Sequence, residues 1–197
     1  MEKDIDNDPT ELEKEVARLR MELKLGQEAI KKLTESNFQD HLTGLLNINF
    51  YEQYKVEKFD AKKDRNKIAL VYGDLNNLKH VNDTYGHKEG DRLIVEAAEF
   101  LKEQFRNEDV VIRLYGDEFI VICRDRKDGI SYEKLKDRLD IILDSEITSN
   151  SGLSIALGMA VFDDQEHNGV VDNNLNDTEI RAEQEMYRVK AAMKGEK

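Results

Sequence analysis

Between residues 12 and 33 the apolar positions recur at alternating spacings of four and three: Leu12, Val16, Leu19, Leu23, Ile30 and Leu33, with Gly26 on the same line. This 3.5-residue period predicts a helix with a narrow apolar stripe, suited to pairing with a second copy of itself. The flanking Glu13, Lys14, Glu15, Arg18, Arg20, Glu22 and Lys24 are charged, as solvent-facing positions of a two-stranded coiled coil should be. Asp8 reads as the N-cap of this helix, Pro9 as its first helical residue and Glu11 as the side chain reaching back. Gly26 is its weak point, costing about 1 kcal/mol of helix propensity relative to alanine.

After Asn37 the pattern changes. Residues 38–47 read as a turn that ends this stalk, and 47–60 as a helix. A strand is predicted at 67–73, buried on both faces because its apolar residues do not alternate. Leu78 and Val81 punctuate a polar stretch, which places a short helix at 76–83 before a glycine-shaped loop at 84–90. Leu93, Ile94, Ala97, Ala98, Leu101 and Phe105 share one face of a longer helix at 91–106. Two β-branched runs, 109–115 and 118–124, flank a glycine and acids and read as a hairpin. A loop at 125–129, a helix at 131–145 and a strand at 152–162 follow. An Asp/Asn-rich loop at 163–177 leads to a last helix carrying Tyr187, Lys190 and Lys194. This order predicts an α+β, palm-like fold with antiparallel pairing in a central sheet and helices on one side. The chain divides into a helical stalk, 1–37, and a globular domain, 38–197.

Composition narrows the class. A chain of 197 residues allows one ordinary domain plus an extension, and 39% hydrophobic residues without tryptophan make the core mostly aliphatic. A formal net charge of −12 argues against a protein that coats a nucleic acid polymer, which needs a basic face. It permits a small anionic substrate where metal ions and a few lysines offset the charge. Cys123 lies inside a strand-like run and reads as a small core residue. No apolar run approaches the length of a membrane span and no signal-peptide core is present, so the chain reads as cytoplasmic.

The chemistry gathers in Tyr115–Gly116–Asp117–Glu118–Phe119. Carboxylates beside buried strands are expensive unless something binds them. Asp74 ends the apolar run Ile68–Gly73. If the two runs are neighbours in one sheet, Asp74 and Asp117 meet there and make an oxygen-ligand site for Mg²⁺. Each alone has a simpler reading, Asp74 as a helix cap and Asp117 and Glu118 as turn residues.

Asp40–His41–Leu42–Thr43–Gly44–Leu45, Asp74–Leu75–Asn76, Asn82–Asp83, Tyr85–Gly86–His87, Gly90–Asp91 and the Gly116–Phe119 stretch occur in an order and spacing that resembles GGDEF domains. Those domains are diguanylate cyclases, which condense two GTP into cyclic di-GMP. The resemblance covers residues from about 38 to 197. It implies a nucleotidyl-cyclase-like palm and a homodimer, for which the heptad stripe of residues 12–33 supplies the pairing surface. It also implies GTP as substrate, cyclic di-GMP as product and inhibitor, and Mg²⁺, or alternatively Mn²⁺, as cofactor. By the same resemblance Asp74, Asp117 and the Leu75 carbonyl are metal ligands, and Glu118 supports the metals or the attacking hydroxyl. Asn82 and Asp91 match the residues that read guanine. Lys190 and Lys194 match two basic positions that hold the triphosphate, with Lys79 and Gly116 as further substrate-binding residues. Arg106 and Asp109 fit an Arg-x-x-Asp product-inhibition pattern. Three positions depart from the pattern: Tyr115 replaces a glycine, Ile48–Asn49 a basic pair, and Asn76 a second acid. Tyr115 opens an alternative, a non-catalytic module that binds GTP or cyclic di-GMP as a regulatory receptor.

Overall fold

A computed structural model describes residues 10–59, 68–124, 131–143, 153–162 and 175–195. The chain separates into two compact units, Met1–Phe38 and Gln39–Lys197.

The first unit is the helix α1, Glu11–Asn37. Asp8 and Pro9 lie outside the described residues. Within them, Thr10 and Glu13 form the capping box: the Glu13 carboxylate accepts from the Thr10 N–H at 2.6 Å, and the Thr10 hydroxyl accepts from the Glu13 N–H at 3.3 Å. The N-terminal signal is therefore read from Thr-x-x-Glu, two residues later than Asp8–Glu11. Leu12, Val16, Leu19, Leu23 and Ile30 are all exposed along α1.

The second unit is built on a four-stranded antiparallel sheet of order β2-β3-β1-β4. Its strands are β1 (Ile68–Leu75), β2 (Val110–Tyr115), β3 (Glu118–Arg124) and β4 (Ile155–Val161). Every residue of β1 is buried, as its unbroken apolar run requires. The helices are α2 (Ile48–Gln53), α3 (Leu78–Tyr85), α4 (His87–Gln104), α5 (Tyr132–Leu143) and α6 (Asn176–Gly195).

Helices cover both faces of the sheet, not one. Ala69, Val71, Phe119 and Val121 pack with Leu93, Ala97 and Leu101 of α4 and Leu135 and Leu139 of α5. Ile68, Leu70, Tyr72, Ile120 and Ile122 pack with Tyr51 of α2 and Ala182 and Met186 of α6. A central strand that is apolar on both sides can be satisfied only by two layers.

Other boundaries move for local reasons. β1 runs on through Leu75, so Asp74 is a strand residue. Asn77 adopts a left-handed φ of 63°, which delays α3 to Leu78. The loop expected at 84–90 shrinks to Gly86, whose φ of 87° breaks the chain direction once before α4 begins at His87. The helix expected over 47–60 passes from α2 into a π-helical turn at Tyr54–Lys58.

One glycine sets the position of α6. A Cβ at Gly158 in β4 would stand 1.9 Å from the Met186 nitrogen and 2.5 Å from the Ala182 oxygen. The α6 backbone rests directly on the sheet at this point.

Candidate active site

The acids converge because of the register. Asp74 of β1 lies directly opposite Glu118 of β3, and the Leu75 N–H donates to the Asp117 carbonyl at 3.0 Å. The hairpin turn between β2 and β3 is thereby tied to the C-terminal end of β1. Gly116 makes the turn with a φ of 45°, in the left-handed region that favours glycine. The register slips by one residue between Arg113 and Tyr115, which aims the turn's acids at β1.

Arg113 anchors that turn, a role not read from the sequence. Its Nε and Nη2 donate to the Gly116 carbonyl at 3.0 and 2.9 Å, while Nη1 donates to both Asp40 oxygens at 3.0 Å. Asp40 also accepts from the Thr43 N–H at 2.8 Å and the Thr43 hydroxyl at 2.7 Å. Burial raises the Asp40 carboxyl, but the Thr43 donors and the Arg113 guanidinium outweigh it and leave it below its ordinary value. The Asp40–Thr43 motif thus acts through Arg113 on the turn that carries Asp117.

From the opposite side α6 brings a cation. Lys190 Nζ is ion-paired with the Asp74 carboxylate, which is 7% exposed. Burial, with the charges of Asp74, Asp117 and Glu183, holds the Glu118 carboxyl above its ordinary value, against a hydrogen bond from Tyr72 that lowers it. The Lys194 side chain lies outside the described residues.

Beside the acids is a cleft of about 450 Å³, lined by Leu75, Asn77, Leu78, Lys79, His80, Asp83, Asp117 and Lys190. The N-terminus of α3 opens into it, and no side chain caps that end. Free amides at a helix start, with Lys79 and Lys190 nearby, suit an anion such as a phosphate chain. His80 joins this lining without having been singled out in the sequence.

Asn82 lies against Gly90, the residue that precedes Asp91. A Cβ at Gly90 would stand 1.9 Å from Asn82 Oδ1, so the amide of α3 lies against the bare backbone of α4. Asp91 falls inside α4, five residues after Gly86, so it does not cap that helix. Its side chain is exposed beside Asn82's helix. Asn76, by contrast, is buried and turned away: its N–H donates to the Ser154 carbonyl at 2.7 Å and its Nδ2 to the Ser154 hydroxyl at 2.9 Å. It ties the end of β1 to the start of β4. If Asn82 reads guanine as the resemblance implies, Gly90→Ala is expected to push its amide aside and weaken GTP binding about tenfold while the melting temperature hardly moves; calorimetric titration with GTP and ATP checks it.

Tyr115 is 63% exposed, with a φ outside the left-handed region, and it does not line the cleft. The backbone there has no need of glycine.

Arg106 and Asp109 share a tight turn after α4. The Asp109 N–H donates to the Arg106 carbonyl and the Arg106 N–H to Asp109 Oδ2, both at 3.0 Å. The Asp109 side chain is only 5% exposed and faces Arg138 Nη1 of α5 at 3.7 Å. The Arg138 guanidinium lies 5.1 Å from the Phe105 ring. Arg138 is a further basic residue at this turn, invisible to a motif search because a different helix supplies it.

The donor set at Asp74, Leu75 and Asp117 is all oxygen, and the Lys190 ammonium already stands at the Asp74 carboxylate. Among the described residues no three acidic, imidazole or thiol side chains form a cage for an ion. The all-oxygen set fits Mg²⁺, which binds through one or two carboxylates and completes its shell with water and substrate phosphates.

Residues 37–196 match the family model for the diguanylate cyclase GGDEF domain. The chain belongs to the GGDEF family. Diguanylate cyclase DgcS of Shewanella oneidensis is 38% identical over 86 residues, 43% of this chain and 29% of the relative. Diguanylate cyclase TpbB of Pseudomonas aeruginosa is 29% identical over 141 residues, 69% of this chain and 32% of the relative. The chain thus spans about a third of the length of these curated relatives. The crystal structure of the coiled coil and GGDEF domain of DgcB from Caulobacter crescentus, in complex with c-di-GMP, superposes with a TM-score of 0.71 at 18% identity, covering 93% of this chain and 96% of that one. The fold is that of a GGDEF domain preceded by a helix. Among the described residues no helix is long and apolar enough to cross a membrane.

Proposed function

We propose that this GGDEF domain is a catalytically competent diguanylate cyclase, condensing two GTP into cyclic di-GMP with release of pyrophosphate, in the cytoplasm and as a homodimer paired through residues 12–33. The observation that supports it best is the pairing of Asp74 with Glu118 in register, tied through Leu75 to Asp117 and set beside an anion-binding cleft.

The α3 amides, Lys79 and Lys190 hold the triphosphate, and Lys194 and Gly116 belong to the same substrate-binding set. Asn82 offers an amide to one guanine edge, and Asp91 accepts from N1–H and N2–H₂, a pattern adenine does not present. Asp74, Asp117 and the Leu75 carbonyl hold Mg²⁺, with Mn²⁺ as a substitute, and Glu118 supports that site. Bound metal supplies charge neutralisation on the triphosphate and acidifies the attacking 3′-hydroxyl. Each 3′-oxygen bonds to the partner nucleotide's α-phosphorus, the bond from that phosphorus to the β-phosphate oxygen breaks, pyrophosphate departs and the hydroxyl proton passes to water. Lys190, ion-paired with Asp74 and on the cleft lining, would be free to turn to the phosphates if a metal ion occupied the carboxylate.

Incubation with GTP and Mg²⁺ tests the reading directly, since a non-catalytic receptor binds nucleotide and yields no cyclic dinucleotide. Tyr115→Gly is expected to change kcat by less than about threefold, because the ring points to solvent; a large gain would make the tyrosine a block.

Arg106 and Asp109, joined by Arg138, form the inhibitory product site, with guanine edges or phosphates meeting the guanidiniums. Asp109→Ala is expected to raise the product concentration that halves the rate by about tenfold. An unchanged inhibition curve removes this site.

A further inference from the structure

Tyr72 is the one hydroxyl-bearing side chain in the apolar run of β1, and it faces the site. Residues two apart on a strand share a face, so Tyr72 and Asp74 point the same way. Across the β1–β3 pair Asp74 faces Glu118 and Tyr72 faces Ile120. Tyr72 and Glu118 are therefore diagonal neighbours on that face, within reach of a long aromatic side chain. The Tyr72 hydroxyl donates to the Glu118 carboxylate. On its other side Tyr72 lies opposite Gly158, the residue on which α6 rests. The ring is thus pinned between Ile120 and that contact, and it is 6% exposed.

We propose that Tyr72 is a positioning residue for Glu118, its hydroxyl holding one carboxylate oxygen so that the other is directed to the metal and the reacting nucleotide. A glutamate side chain has three rotatable bonds, and in this acidic surrounding Asp74, Asp117 and Glu183 all push its charge away. A fixed donor deeper in the face draws it back. An apolar residue at position 72 would fill the space and leave Glu118 free to swing.

This inference rests on the cyclase reading, and the experiment separates the two. Tyr72→Phe removes the hydroxyl and keeps the ring; Tyr72→Leu removes both. Each is expected to lower kcat at least tenfold with KM for GTP changed less than twofold, as loss of a residue that orients a metal site does. Only Tyr72→Leu is expected to melt at a clearly lower temperature. In a Glu118→Gln background, Tyr72→Phe should cause no further fall in rate. Independently of turnover, Mn²⁺ affinity is measured by electron paramagnetic resonance with 3′-deoxy-GTP, which lacks the attacking hydroxyl; Tyr72→Phe is expected to weaken it about tenfold. If wild type makes no cyclic dinucleotide, the cyclase reading fails, and the Mn²⁺ arm alone decides the role of Tyr72. Unchanged Mn²⁺ affinity in Tyr72→Phe, or a full additive loss in the Glu118→Gln background, overturns the inference.

Discussion

If the domain is the cyclase proposed above, Asp74→Ala and Asp117→Ala are each expected to lower the rate of cyclic di-GMP formation by roughly a thousandfold or more, about 4 kcal/mol of barrier at 1.4 kcal/mol per tenfold, while both proteins remain folded. The first substitution removes the carboxylate that Lys190 holds and that the proposed metal site uses. Losing one partner of a buried ion pair commonly destabilises strongly. Here Asp117 still lines the same cleft as Lys190, and removing Asp74 relieves the repulsion it exerts on Glu118, so the two effects oppose each other. The second substitution leaves the turn intact, because the Leu75 N–H bonds to the Asp117 main-chain carbonyl and not to its side chain. Product quantified by chromatography and melting followed by circular dichroism check both halves. Turnover within tenfold of wild type in either variant removes the metal assignment.

Gly158→Ala destabilises the domain by about 3 kcal/mol, the upper range for overpacking a filled core. For a domain of this size that lowers the melting temperature by about 6–12 °C. The magnitude follows from what the new methyl meets. At Gly90 the obstacle is the far end of a side chain, which swings away; at Gly158 it is the Met186 and Ala182 backbone, which cannot. Relief requires α6 to lift from β4. Met186 precedes Lys190 by one helical turn, so the lysine moves away from Asp74 and activity falls with stability. Calorimetry on wild type, Gly158→Ala and Gly90→Ala side by side tests the contrast, and equal melting temperatures would refute the close approach.

Much of the molecule was legible because its signals are local. The 3.5-residue stripe of α1, the unbroken apolar run of β1 and the glycine between two β-branched runs each report a period or a turn within a short window. The separated motifs at Asp40, Asp74, Asn82, Asp91 and Asp117 pointed to one family through their order. Local signals also misled in places. Residues 84–90, punctuated by Gly86 and Gly90, look like a loop, yet all but Gly86 are helical, and Gly90 is bare because Asn82 lies against it. Asn76 stands where the resemblance expects a second acid, and it is a buried tie to Ser154.

From the sequence alone came the element types, the family and the acids at stake, because propensity, period and motif spacing act between residues near in the chain. Only tertiary structure decided which acid faces which, that helices cover both faces of the sheet, that Arg113 joins Asp40 to the Gly116 carbonyl, and that Tyr72 reaches Glu118. Those contacts depend on strand register and on the seating of α6 over Gly158, and a one-residue slip in register would turn every one of those side chains to the opposite face.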